Sequence, residues 1–143
     1  MTDDSFEEVR RIFQAAPFIG SVGIDLDAVS HGECHASLVV RPDHPQQTGV
    51  VHAGVIATLA DHAAGGAAGS VLEKGSYPLS IEFKINFLHG ASTKKLVCHA
   101  KVLRSGRNIV VAEAEVMAVT KNGAETLIAK AMVTLAVLQG QIV

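Results

Sequence analysis

Residues 52–73 read HAGVIATLADHAAGGAAGSVLE, and the fold turns on how this stretch is read. It is rich in Ala and apolar nearly all round, the pattern of a helix covered on every face. Gly65, Gly66 and Gly69 lower its intrinsic propensity, so they are expected to mark places where neighbouring backbone comes close. From Val50 to Leu72 the run is long enough to raise the question of a membrane span. His52, Asp61, His62 and four glycines interrupt it, and a central carboxylate is costly in lipid. The stretch therefore reads as a buried helix of a soluble protein, with no membrane partner.

The flanking segments supply what buries it. Ser5-Phe6-Glu7-Glu8 fits a capping box, and Phe6, Val9, Ile12 and Phe13 recur at helical spacing until Pro17 closes a first helix. Two extended segments follow, from about Val22 to Val29 and from about Glu33 to Val40, with Gly32 as the turn. In the first, Ile24, Leu26 and Ala28 alternate with Asp25, Asp27 and Val29. Arg41 to Gly49, with Pro42 and Pro45, is a loop. After Gly75 the pattern is strand-like: Ile81, Phe83 and Ile85 alternate with Ser80, Glu82 and Lys84. Further strands run over 95–103, 109–120 and 125–138, the last two joined by the hairpin signal Asn122-Gly123. The expectation is one α+β domain over residues 1–143, an antiparallel sheet of five to six strands wrapped around one long central helix. Such a sheet leaves edges and a face exposed, so self-association is expected.

Composition removes several function classes. The formal net charge of −2 offers no basic surface, which argues against nucleic acid. Met1-Thr2-Asp3-Asp4 is acidic where a secretory signal would be basic, and Cys34 and Cys98 form no CxxC pair; both point to reduced thiols and a cytoplasmic location. Seven histidines invite a metal. No HExxH is present, Asp61 and His62 would point about 100° apart on a helix, and a turn separates His31 from His35, so no metal and no cofactor are expected. There is no nucleophile elbow or P-loop.

Two features carry chemistry. Asp61 interrupts an apolar helix, and a carboxylate there is either a surface group satisfied by a basic neighbour or His62, or a general base or nucleophile. His52 precedes the small pair Ala53-Gly54 where loop becomes helix. Free N–H groups at such a start carry partial positive charge and suit a developing oxyanion; a plain junction with a structural His has the same pattern. Ala53 and Asp61 are eight residues apart, about 12 Å along a helix. One carbonyl cannot touch both in a single helix, so if both act, they act across a dimer.

The segment Gly49-Val-Val-His52-Ala53-Gly54, with Asp61 seven residues on, resembles the His-Gly-Gly…Asp motif of the hot-dog fold thioesterases, specifically their phenylacetate-degradation (PaaI-like) branch. Element order and length agree over about residues 10–138. The resemblance implies an acyl-CoA thioesterase acting as a homodimer or homotetramer. Asp61 would be general base or nucleophile, the Ala53 N–H the oxyanion hole beside Gly54, and His52 would orient the loop or the thioester. Gln46 stands where relatives carry Asn, with Gln47 next to it, and Ser80 stands where relatives place a hydroxyl near the attacking water. Ala53 replaces the first Gly of the motif, which keeps the N–H but adds a methyl. The phosphates of coenzyme A would meet Lys84, Lys94, Lys95 or the turn Arg104-Ser105-Gly106-Arg107. Two rival readings are a non-catalytic acyl-CoA binding module, since one fold hosts many functions, and a hot-dog enoyl-CoA hydratase.

Overall fold

The computed structural model describes residues 4–140; Met1 to Asp3 and the Ser5 side chain of the expected capping box lie outside the described residues. Helix α1 (Asp4–Ala15) leads into a short helix α2 (Pro17–Val22), then strands β1 (Ile24–Ser30) and β2 (Glu33–Val39). After the loop comes α3 (Ala53–Gly69), followed by β3 (Ser76–Phe87), β4 (Lys95–Ser105), β5 (Ile109–Val119) and β6 (Glu125–Gln139). Pro17 therefore opens a helix as well as closing one. Its fixed φ and missing N–H suit the first helical position, and Gly23 at φ 89° ends that helix.

The six strands form one antiparallel sheet in the order β1-β2-β4-β5-β6-β3. Its concave face packs on α3 through alternating residues, among them Cys34, Ala36 and Leu38 on β2, Leu96, Cys98 and Ala100 on β4, and Ala129, Ala131 and Val133 on β6. Gly123 at φ 80° makes the expected hairpin between β5 and β6. Both cysteines are fully buried free thiols. Burial pushes both up, Cys34 to about 12, with Asp27 adding to it, so both stay protonated and unreactive.

Three expectations change. First, α3 runs from Ala53 to Gly69, not to Glu73, and it is not covered all round. Ile56, Leu59, Ala60, Ala63, Ala64, Ala67 and Ala68 are buried, a stripe at i, i+3, i+4 spacing, whereas Ala57, Thr58, Asp61, His62 and Gly65 are only half-buried. One curved sheet cannot enclose a helix of this length, so its outer side stays open. Second, Gly66 alone of the three helix glycines marks a close approach. A Cβ there would lie 2.8 Å from Cys34 Sγ and 3.2 Å from the Phe13 ring, while Gly65 has nothing within 4 Å. Third, strict alternation fails in β1. A bulge between Leu26 and Ala28 turns Val29, rather than Ala28, into the core.

The Gly66 contact yields a direct test. Gly66→Ala is expected to lower unfolding stability by about 1–3 kcal/mol through overpacking, measured by urea denaturation. Cys34→Ala in the same background should recover part of that loss, because it removes the nearest atom.

Candidate active site

The loop before α3 is held by a residue that sequence reading passed over. His44 is buried; its Nδ1 accepts from the Arg41 N–H (2.9 Å) and its Nε2 donates to the Val22 carbonyl (2.8 Å). Its own carbonyl accepts the His52 N–H at 3.0 Å. The only hint in the sequence is an imidazole set between Pro42 and Pro45 in an otherwise polar loop. An isolated bridge between Pro45 and Val51 closes the loop. Gln46 folds back on it, its side-chain oxygen accepting from the Thr48 N–H at 2.8 Å, while Gln47 is exposed.

His52 is the N-cap of α3, with φ −61° and ψ 137°. Its Nδ1 accepts from the Gly54 N–H at 2.8 Å. An N–H only donates, so in the neutral ring the proton sits on Nε2, on the exposed side chain. The Val55 and Ile56 N–H groups both donate to the His52 carbonyl. Of the first-turn donors, the Ala53 N–H is left without a partner among the described residues. Gly54 is tightly placed: a Cβ there would meet His52 Nδ1 at 3.0 Å.

Two turns further on, Asp61 accepts a hydrogen bond from the Ser80 hydroxyl at 2.7 Å. Among the described residues, neither a basic neighbour nor His62 forms an ion pair or hydrogen bond with it. His62 turns away, donating from Nε2 to the Phe13 carbonyl (2.9 Å) with its ring 4.2 Å from that of Phe13. Burial holds the His62 pKa below the ordinary histidine value, partly offset by the Phe13 carbonyl and by Asp61. Ser80 reaches Asp61 because a second bulge, between Ser80 and Glu82, resets the register of β3 on β6. Ser80 opposite Leu135 and Phe83 opposite Val133 then share the concave face. Simple alternation had placed Ser80 with Glu82 and Lys84 on the other side.

Beside Asp61 lies an open groove of about 320 Å³, lined by Phe18, Ile19, Ala57, Thr58 and Phe83. Lys84, opposite Met132 on β6, projects from the convex face, away from Asp61. Arg104 and Arg107 flank the β4–β5 turn. Gly106 is required there, since a Cβ would lie 2.8 Å from the Ile109 carbonyl oxygen. Val102 bonds to Gly32, and Gly32 to the Ser70 side chain, so this turn stands at the end of the fold where α3 finishes. Lys94 and Lys95 stand at the other end, near the start of α3, through the Val40–Lys94 and Val51–Ala91 bonds. One chain thus brings together Asp61 with Ser80, and separately His52 with Ala53 and Gly54. It does not join the two groups, nor bring the arginine turn to the helix start.

The family model of the thioesterase superfamily matches residues 48–124. A thioesterase family protein from Silicibacter pomeroyi is 33% identical, covers 95% of this chain and 99% of its own, and superposes with a TM-score of 0.91. The PaaI protein of the phenylacetic acid degradation operon of E. coli shares the fold at 18% identity, TM-score 0.84, over 97% of this chain and 96% of its own. A thioesterase from Haemophilus influenzae shares it at 23% identity, TM-score 0.81, over 94% of this chain and 90% of its own. No curated protein matches the sequence significantly. Among the described residues, no helix is long and apolar enough to cross a membrane.

His62 makes stability pH-dependent. Its folded pKa lies below the unfolded value of about 6.5, so the unfolded chain takes the proton first. The contribution of this group is complete above that value and is lost as pH falls through it toward the folded pKa. Urea unfolding of His62→Gln should therefore weaken less than wild type as pH drops below about 6.5. Equal slopes would remove His62 as a source.

Proposed function

The chain belongs to the thioesterase superfamily, with the hot-dog fold, and from that premise we propose that it hydrolyses acyl-CoA thioesters in a site shared between two copies. The observation that carries this reading is the Ala53 N–H, the first-turn donor of α3 without a partner among the described residues, about 12 Å along the helix axis from residue 61. A second α3 running antiparallel would set the Asp61 of one copy against the helix start of the other. Three features support such a pairing: the outer side of α3 is only half-buried, β3 is an edge strand, and Phe18, Leu79, Ile81, Phe83 and Phe87 are exposed.

In this mechanism Asp61 takes the proton of a water as its oxygen attacks the thioester carbonyl; direct attack by the carboxylate is the other route. Ser80 occupies Oδ1 and leaves Oδ2 for the water. The oxyanion that forms is held by the Ala53 N–H at the positive end of the α3 dipole. His52, locked by Gly54 with its Nε2–H outward, donates to the thioester and orients it. Collapse expels the CoA thiolate. A thiol pKa near 8.5 makes that a good leaving group without strong acid assistance. The groove of Phe18, Ile19 and Phe83 takes the acyl chain, and the arginine turn takes the CoA phosphates.

Free-thiol release from a panel of acyl-CoAs tests this. Asp61→Asn should lower kcat/KM by roughly 10²–10⁴-fold, and unchanged turnover would remove Asp61 from the chemistry. Ala53→Pro deletes the one free N–H at a position where proline fits, so a similar loss is expected with the fold intact. Co-expressing the two inactive variants should restore about a quarter of wild-type activity, because each mixed dimer regains one complete site. No recovery would place both groups within one chain. Enoyl-CoA absorbance measured alongside separates hydration from hydrolysis.

A further inference from the structure

The convex face of the sheet carries a cluster that sequence spacing concealed. His35 on β2 and His99 on β4 are directly opposed in the register. Their neighbours Cys34, Ala36, Cys98 and Ala100 are buried against α3, so both imidazoles project from the other face. The rings stack at 4.2 Å, 12° from parallel. Glu33, two residues before His35, shares that face, and its Oε2 lies 3.7 Å from His99 Nε2. Glu33, His35 and His99 each place one ligand atom within 4.8 Å of the others.

We propose that Glu33, His35 and His99 bind a divalent transition-metal ion of the zinc type, clipping β2 to β4. Two imidazole nitrogens and a carboxylate oxygen are a ligand set suited to such ions. Ligands at their usual distances around a tetrahedral ion stand roughly 3.4 Å apart. The 3.7 Å separation of Glu33 and His99 is a few tenths wider, and rotation of the two imidazoles out of their stack turns their nitrogens toward a common ion, with water in the fourth position. His99 Nε2 supplies the independent sign. It is buried and has no hydrogen-bond partner among the described residues, and a buried polar atom left unpaired calls for a missing partner. Neighbouring charges leave the carboxylate available. Lys101 is the cross-strand partner of Glu33, but the only ion pair of Glu33 among the described residues is the one with His99. Glu115, opposite His99 on β5, is held by Lys130 at 3.5 Å. Sequence spacing does not show this cluster, because its side chains come from two strands far apart in the chain. The site lies on the opposite face from Asp61 and Ser80, so its role is structural.

The test is calorimetric titration of Zn²⁺ into chelator-treated, untagged protein, with thermal unfolding measured with and without the ion. Wild type should bind one Zn²⁺ per chain and unfold at higher temperature with it. His99→Gln and His35→Gln should each weaken binding at least tenfold and abolish the thermal shift, while thioester hydrolysis stays unchanged and certifies their fold. Zn²⁺ binding that is absent in wild type, or equal in wild type and both variants, would overturn the proposal and leave Glu33 and His99 as a simple ion pair.

Discussion

A helix whose inner face is nearly all alanine and glycine lets a six-stranded sheet close around it, and everything else in the molecule is placed by that contact. With Gly66 against the side chains of Cys34 and Phe13 and alanines at most other buried positions beyond Ile56 and Leu59, the sheet packs close to the helix. Close packing of this kind is stiff, because interiors have little free volume to absorb displacement. The helix start and Asp61 are therefore fixed relative to each other. The sheet covers only one side of α3, so the same contact also leaves the opposite side, with Asp61, Thr58 and Ala57, facing outward.

The second constraint is electrostatic bookkeeping at the helix start. Four N–H groups lack partners at the beginning of any helix. Here the His44 carbonyl takes the His52 N–H, and His52 satisfies Gly54 through its ring and Val55 through its carbonyl. One donor remains, in a part of the helix where partial positive charge is greatest. The loop that delivers His52 is pinned by His44, whose two ring nitrogens are both committed to backbone groups. A neutral, fully satisfied imidazole in this position holds the loop without adding a charge beside the site.

The bulges show how a local irregularity decides which side chains face the candidate site. In a strand, side chains alternate between faces, and one extra residue reverses every position beyond it. The bulge at Ile81 turns Ser80 toward Asp61 while keeping Phe83 on the same face. Without it, Ser80 would lie with Lys84 on the convex side, and Asp61 would lose its hydrogen-bond donor. The bulge in β1 acts in the same way on Val29.

The sequence by itself determined the class of fold, the long helix and its start at His52-Ala53, and the order of elements along the chain, and it marked Asp61 as a polar break in an apolar run. These rest on periodicity and on a polar group breaking an apolar run, both of which are local properties of the chain. Only the tertiary structure decided that α2 exists after Pro17, that Ser80 rather than His62 partners Asp61, that His44 anchors the loop, and that Glu33, His35 and His99 meet on one face. Each of these depends on strand register or on contacts between segments tens of residues apart. A bulge or a cross-strand pairing leaves no periodic trace in the chain that forms it, because it is set by which neighbour the strand finds and not by the strand's own residues.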